Sequence, residues 1–235
     1  AGHEIVPVRR GDFGVVDGCD AVVHLAGSTI AQRWSGRVRE ELVTSRVDYT
    51  RGLVEAMTRA AKPPRVLLSG SAVGVYGDRG DEELTEDSAA GARADKGPGF
   101  LSGLCLDWEA EAQKADARVV LLRTGIVLSA AGGALGQMLP AFEVGAGGPL
   151  GSGRQWLSWV SIEDELGAIE HALHTESLSG PLNLTAPSPL TGSDFAKELG
   201  RVLSRPSFAK VPAFALKALF GEAAEAAMLA SQRVK

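Results

Sequence analysis

Short runs of β-branched and other apolar residues alternate along this chain with longer segments of helical periodicity. The runs cover residues 4–8, 21–25, 65–68 and 119–122, and helix-length intervals separate them. This rhythm is typical of parallel sheets, because a parallel neighbour can be reached only through a long crossover. The pattern therefore predicts an α/β fold with a doubly wound parallel sheet.

Apolar residues from Val38 to Met57 recur at helical spacing, and Pro63-Pro64 ends that segment. Further helices are predicted from residue 162 to about 175, from the Thr191 cap to about 203, and over 212–220 and 222–229; strands are predicted over 155–160 and 181–184. The glycine-rich segment 145–153 predicts a surface loop near a ligand. We divide the chain into residues 1–150, which carry most of the sheet, and 151–235, mainly a smaller C-terminal lobe interleaved with the sheet.

The composition narrows the function classes. The 235 residues are 45% hydrophobic and 23% charged, with a formal net charge of -5 and both signs mixed along the chain. No concentrated basic face indicates nucleic acid binding, and charges interrupt the apolar segment 213–230 before it could span a membrane. Cys19 and Cys105 lie far apart without other soft ligands, which argues against a disulfide framework and a metal site. We therefore expect a cytoplasmic protein without nucleic acid, membrane or metal partners.

Small and hydroxyl-bearing residues mark the ends of two predicted strands. Asp20-Ala-Val-Val-His-Leu-Ala-Gly27 stops in small residues, so Ala26 and Gly27 would let a dinucleotide approach the carboxyl edge of the sheet. His24 lies inside this strand and is expected to be packed or hydrogen bonded. The next strand feeds a turn with Ser69, Ser71 and Tyr76, whose hydroxyls can polarise a carbonyl or hold a sugar hydroxyl.

Five motifs occur in order over nearly the whole chain: His24-Leu-Ala-Gly27, Ser69-Gly-Ser-Ala-Val-Gly-Val-Tyr-Gly-Asp78, Arg123-Thr-Gly-Ile-Val-Leu128, Gly151-Ser-Gly-Arg-Gln-Trp-Leu-Ser-Trp159 and Asn183-Leu-Thr-Ala-Pro187. Together they resemble the epimerase-type, or extended, short-chain dehydrogenase/reductase superfamily. More narrowly, they are similar to its atypical epimerase family branch, sometimes labelled nucleoside-diphosphate-sugar epimerases. The resemblance implies a Rossmann-like domain that binds NAD or NADP, followed by a C-terminal substrate lobe.

The family's Gly-x-x-Gly-x-x-Gly loop, which holds the pyrophosphate at a helix N-terminus, does not occur in this sequence. A chain without this loop should bind the cofactor poorly. We expect the sequence to begin after the first βα unit, which would carry the loop; natural loss of the loop is the alternative. Arg9 and Arg10 follow the first run, where an arginine accommodates the 2′-phosphate of NADP, so NADP is favoured over NAD. The resemblance, with the strand ends above, gives the remaining cofactor contacts as Leu25, Ala26, Gly27, Ser69, Gly70 and Arg123.

Members that transfer hydride normally use Tyr-x-x-x-Lys, and the resemblance places Leu101 and Cys105 at those two positions. The proton donor and the cationic ribose clamp are therefore both replaced. Cys105 is expected to be a packed thiol, since no nearby histidine would activate it.

By resemblance, Ser71 matches the family's catalytic serine, and Tyr76 on the adjacent turn could replace the lost phenol; a packing role for Tyr76 is the alternative. Arg154 matches a region that faces the substrate diphosphate, where arginine suits bidentate anion binding. The alternative for Arg154 is a surface loop charge.

Two functions follow from this sequence. The first is an NADP(H)-binding, epimerase-like oxidoreductase or isomerase that acts on a sugar nucleotide or a small carbonyl compound through Ser71 and Tyr76. The alternative is a non-catalytic NADP(H)-sensing or partner-binding module that kept the fold after losing its proton shuttle. The expected partner is a small-molecule substrate, and the resemblance leaves room for a homodimer.

Overall fold

The computed structural model describes residues 2–9 and 11–235. Numbered along the chain, its strands are β1 (Ala21–His24), β2 (Val66–Ala72), β3 (Glu83–Leu84), β4 (Arg118–Thr124), β5 (Ile126–Ser129), β6 (Trp156–Leu157), β7 (Trp159–Ser161), β8 (Gly180–Leu184), β9 (Leu190–Thr191) and β10 (Arg233–Val234). The α-helices are α1 (Gly36–Val43), α2 (Tyr49–Arg59), α3 (Gly97–Ala112), α4 (Gly133–Glu143), α5 (Ile162–His174), α6 (Gly192–Leu203) and α7 (Ala213–Phe220).

The central sheet contains four strands in the order β1-β2-β4-β8, and every neighbouring pair is parallel. In this register His24 lies beside Ser69, and Ser71 lies beside Arg123. Parallel strands bring their carboxyl ends to one edge of the sheet, so the predicted cofactor and catalytic segments meet there. The predicted α/β fold with a parallel sheet is confirmed.

Helices cover both faces of this sheet, because successive strand residues point to opposite sides. On one face, Val22, Leu67 and Leu121 pack with apolar residues of α2 and with Ala112 of α3. On the other face, Leu68, Leu122 and Leu184 pack with Ile169 and Ala172 of α5. The same alternation directs Ser71 and Arg123 toward α3, and directs Thr124 toward α5.

The predicted crossover helix between β1 and β2 contains a π-helical turn. Helix α1, capped by Ser35, leads directly into the π-turn Thr44–Asp48, which continues as α2. A π-turn inserts an extra residue and changes the direction of nearby side chains, which is why such turns occur often at functional sites. Here Ser45, Arg46 and Val47 all become buried.

The strand predicted over residues 4–8 is wrong. This segment has no regular secondary structure, and Ile5 and Val8 are 84% and 42% exposed. A β-strand needs a neighbour to pair its backbone groups, and a cavity lies between this segment and β1 instead.

The C-terminal part returns to the sheet before it forms smaller structures. Helix α5 starts after Ser161, whose hydroxyl accepts from the backbone N–H of Asp164, and β8 then joins the central sheet. Thr191 caps α6 in the same way, as its sequence predicts. The predicted helix over 222–229 is instead the π-turn Ala224–Met228. Among the described residues, no helix is both long and apolar enough to cross a bilayer.

Candidate functional site

A cavity runs along β1, from Asp20 and Arg65 at the amino ends of the strands to Leu25 and Ala26 beyond the carboxyl end of β1. Leu25, 54% exposed, and Ala26 follow the last residue of this strand and face this cavity of about 1320 Å³. Arg9 lines the same cavity from the N-terminal segment and is exposed. The structure thus brings three of the predicted cofactor contacts to one cavity, whereas Arg10 lies outside the described residues.

Two predicted glycine contacts are close-packed against large side chains. A Cβ atom at Gly27 would lie 2.9 Å from Cζ of Arg46, and one at Gly70 would lie 2.8 Å from Cη2 of Trp108. Neighbouring Ser69 is fully buried within β2. The small size of Gly27 and Gly70 therefore has a packing reason inside the protein, separate from any ligand.

His24 is a buried hydrogen-bonded residue, as its sequence position predicts. Its Nε2 atom lies 3.0 Å from the Oγ1 atom of Thr50 on α2. Burial lowers the pKa of His24 to about 4, so the imidazole is neutral at pH 7. A neutral, buried imidazole in this position holds β1 against α2.

Ser71 belongs to a buried ionic network. Its hydroxyl donates to Oε1 of Glu109 on α3, at 2.6 Å. Arg123 on β4 donates to the same carboxylate from Nε and Nη2, at 2.9 Å each. Burial alone would lower the pKa of Arg123, but hydrogen bonds with Glu109 and Tyr76 raise it, so the arginine is charged at every physiological pH.

Tyr76 closes the same network on its other side. Its hydroxyl donates to Oδ1 of Asn183 at 2.7 Å and accepts from Nη1 of Arg123 at 3.1 Å. The Arg123 guanidinium also lies 5.2 Å from the centre of the tyrosine ring. Burial raises the pKa of Tyr76, and the side chain has no exposed surface. Ser71 and Tyr76 are therefore brought together by Arg123, but both hydroxyl protons are committed to protein acceptors.

The two positions expected to carry Tyr and Lys are both buried in α3. Leu101 packs with Trp34 and Leu42, and Cys105 packs with Val75 and Tyr76. Burial raises the pKa of Cys105 to about 12, so the thiol is un-ionised. The prediction of a packed thiol at Cys105 is confirmed.

Arg154 is exposed in the loop before β6, and its side chain makes no hydrogen bond or ion pair with a described residue. Its backbone N–H donates to the Ser152 hydroxyl. The guanidinium is therefore free to meet a ligand or solvent.

Sequence reasoning missed Glu109, Arg46 and Trp108 as residues of this edge of the sheet. Glu109 and Trp108 lie on the buried face of α3, the helix on which the resemblance places the Tyr-x-x-x-Lys positions. Arg46 carried no sequence signal, because an arginine in an amphipathic helix is normally exposed.

Away from the strand ends, His3, Glu170 and His174 hold potential metal-ligating atoms within 4.8 Å of one another, and His3 and His174 also line the cavity. All three residues are exposed, and the sequence predicted no metal site. The rings of His3 and His174 stack with their centroids 5.3 Å apart.

A parallel sheet covered by helices on both faces defines a Rossmann-like α/β fold. The chain belongs to the NAD dependent epimerase/dehydratase family, whose family model matches residues 12–183. Residues 211–235 match a further family model, a domain of unknown function called DUF1731.

Three relatives illustrate this membership. An epimerase family protein of Mycobacterium bovis is 46% identical over 218 residues, which is 91% of this chain and 70% of the relative. The crystal structure of human epimerase family protein SDR39U1 with NADPH has a TM-score of 0.86 and 37% identity, covering 92% of this chain and 74% of the human one. The structure of a nucleoside-diphosphate sugar epimerase from Corynebacterium glutamicum has a TM-score of 0.67 and 33% identity, covering 94% and 48% of the two chains.

Proposed function

We propose that this protein binds NADP(H) at the carboxyl edge of its sheet and acts as an oxidoreductase or isomerase on a sugar nucleotide or a small carbonyl compound. The observation that carries the proposal is that Arg9, Leu25 and Ala26 line one cavity. The cavity of about 1320 Å³ extends along the whole of β1, and we place the dinucleotide in the part beside Leu25 and Ala26, at the carboxyl edge of the sheet. The NADPH in the human relative's crystal structure supports the choice of cofactor.

The side chains of the cavity fit the two chemical parts of such a cofactor. The exposed guanidinium of Arg9 suits a phosphate, and we assign it to the 2′-phosphate that distinguishes NADP from NAD. Leu25 and Ala26 offer exposed apolar surface against which a base or ribose ring can pack.

When bound, NADP(H) supplies a hydride donor or acceptor. The hydrogen-bond network around Arg123 and Glu109 determines what the hydroxyls of Ser71 and Tyr76 can do. The Ser71 hydroxyl donates a hydrogen bond to Glu109. Its oxygen can therefore accept a hydrogen bond from a ligand, but the hydroxyl does not polarise a carbonyl. Tyr76 is sealed between Asn183 and Arg123. We therefore assign Ser71 and Tyr76 the role of positioning residues, which hold the ends of β2 and β4 together beside the cofactor.

The C-terminal residues 151–235 are proposed to form the substrate lobe, with Arg154 as its anion contact. Arg154 supports this assignment because its exposed guanidinium has no acidic partner among the described residues. A phosphate or carboxylate of the substrate would supply that partner. We also place the protein in the cytoplasm, and a small molecule is its proposed partner.

A second candidate function is a non-catalytic NADP(H)-sensing or partner-binding module. The commitment of both hydroxyl protons, with the burial of Leu101 and Cys105, favours it. A cleft that binds a dinucleotide does not need a proton relay.

Fluorescence titration of the full-length protein with NADPH and NADH, followed by a turnover screen with sugar nucleotides and small carbonyl compounds, tests these proposals. Tighter binding of NADPH than of NADH, with oxidation of NADPH by one of the compounds, is the expected result. Tight binding without turnover would reject the catalytic proposal in favour of the sensing module. Failure to bind either dinucleotide would overturn the catalytic and the NADP(H)-sensing proposals and leave only the partner-binding module.

A further inference from the structure

Arg46 is a buried cation without a carboxylate partner in the described part of the chain. Only 8% of its surface is exposed. Its Nη2 atom donates to the backbone carbonyl of Ser28 at 2.9 Å, and its Nη1 atom makes a long contact of 3.4 Å with the hydroxyl of Ser45. The guanidinium also lies 5.4 Å from the centre of the Trp108 ring. Each of these neighbours is neutral.

The other arginines near this helix show how unusual that environment is. Arg123, equally buried, is neutralised by the two carboxylate oxygens of Glu109. Arg39 on α1 stacks on Phe100, as Arg46 stacks on Trp108, but it is paired with Glu222 at 2.8 Å. A buried charge without a counter-charge destabilises the fold, so its presence calls for a compensating partner.

The position of Arg46 shows where such a partner would come from. The π-turn Thr44–Asp48 directs its side chain against Gly27, which follows the end of β1 at the carboxyl edge of the sheet. Its positive charge also acts on the thiol of Cys105, which stands where the resemblance expects a lysine. A cation contributed by the preceding crossover helix therefore lies beside the position at which the expected cation has been replaced.

The guanidinium has donors available for a ligand. Arginine carries five N–H donors in a planar fork, and Arg46 uses two of its nitrogens in hydrogen bonds with described residues. Desolvation lowers the pKa of Arg46, and an anion beside it would relieve that cost.

We propose that Arg46 binds a phosphate or carboxylate group of a ligand that lies beyond the carboxyl end of β1, beside Gly27. The proposal rests on the proposed function for the identity of that ligand. The anionic group comes either from the dinucleotide or from the substrate, and both present the same oxygen chemistry to the arginine.

The test compares wild type, Arg46→Met and Arg39→Met by calorimetric titration with NADPH and with UDP-glucose, at two salt concentrations. Arg46→Met keeps the alkyl stem on Trp108 but removes the charge. Arg39→Met is the matched control, because it removes a stacked arginine whose charge is already paired. We expect Arg46→Met to lower the affinity for one of the two ligands at least about tenfold and to make that affinity less dependent on salt. Arg39→Met should leave both affinities unchanged.

The ligand that is affected identifies the source of the anion. Unchanged affinity for both ligands in Arg46→Met would overturn the proposal while leaving NADP(H) binding intact. If wild type binds neither ligand, the proposed function fails, and thermal unfolding with inorganic pyrophosphate decides the role of Arg46. Pyrophosphate should then raise the Tm of wild type more than that of Arg46→Met, and equal Tm shifts would overturn the proposal.

Should Arg46→Met not fold, Arg46→Lys replaces it. We expect this variant to lose about threefold in ligand affinity, because lysine lacks the planar fork of arginine.

Discussion

Arg123 and Glu109 form a bidentate ion pair that joins β4 to α3, and this pair determines what the neighbouring hydroxyls can do. Both side chains are buried, and the two N···O distances are 2.9 Å. Ser71 donates to the carboxylate of the pair, and Tyr76 accepts from its guanidinium. The pair thus converts two residues predicted to be catalytic into parts of a closed hydrogen-bond network.

Glu109→Gln should strongly destabilise the fold, because it leaves the buried charge of Arg123 without its counter-charge. Breaking one partner of a buried ion pair costs roughly 3–5 kcal/mol. Urea unfolding followed by circular dichroism measures the change. Glu198→Gln, which removes the exposed pair with Arg201, is the control and should cost less than about 1 kcal/mol. Equal losses in the two variants would show that the Glu109 pair adds nothing.

Tyr76→Phe separates a positioning role from a catalytic one. The variant loses the hydrogen bonds to Asn183 and Arg123, and we expect the free energy of unfolding to fall by about 1–3 kcal/mol. Because the hydroxyl is sealed from the cleft, kcat for any substrate found in the screen should stay within about twofold of wild type, with an unchanged pH profile. A large loss of kcat with unchanged stability would instead make Tyr76 the proton donor.

Arg9→Ala tests the assignment of the 2′-phosphate. Removing this exposed guanidinium should lower the affinity for NADPH by about tenfold, or ~1.4 kcal/mol, and leave the affinity for NADH nearly unchanged. Fluorescence titration of both cofactors gives the two affinities. Arg154→Ala, on a different loop, serves as the control for removing one surface charge. An equal loss of NADPH and NADH affinity in Arg9→Ala would contradict the assignment.

The buried histidine makes stability depend on pH. Burial depresses the pKa of His24 from 6.5 to about 4, so the unfolded state binds a proton that the folded state rejects. The stability contribution is complete above pH 6.5 and is lost as pH falls from there toward about 4, at up to about 1.4 kcal/mol per pH unit.

His24→Asn should flatten this dependence, measured as the difference in the free energy of unfolding between the variant and wild type across pH 7 to 4. Glu165, whose pKa is raised by burial, is common to both proteins, so the difference isolates the histidine. A difference that stays constant with pH would show that burial does not shift the pKa of His24.

The two cysteines should differ in reactivity. Cys105 is fully buried and its pKa is raised to about 12, whereas Cys19 is half-buried. A chromogenic disulfide reagent should therefore label one thiol in the native protein and both after unfolding. Cys19→Ser should abolish the fast phase, and its persistence in that variant would place a reactive thiolate at Cys105.

The local sequence determined most of the secondary structure. The cap at Thr191, the strand runs around Leu67 and Leu121 and the helix that begins at Ile162 were predicted because their signals lie within a few residues of one another. The segment over residues 4–8 shows the limit of such signals, since an apolar run becomes a strand only when another strand pairs with it.

The site required the tertiary structure. The sequence located Ser71, Tyr76 and the strand end after His24 at one edge of a parallel sheet, which follows from strand direction alone. Their partners are distant in sequence: Glu109 is 38 residues from Ser71, and Asn183 is 107 residues from Tyr76. Whether a hydroxyl donates to a ligand or to a carboxylate, and whether an arginine such as Arg46 is solvated or buried without a counter-charge, depends on packing between separate elements. Sequence periodicity therefore determined the sheet and its edge, and only the packing of α2 and α3 against that sheet decided which of its polar groups remain available for chemistry.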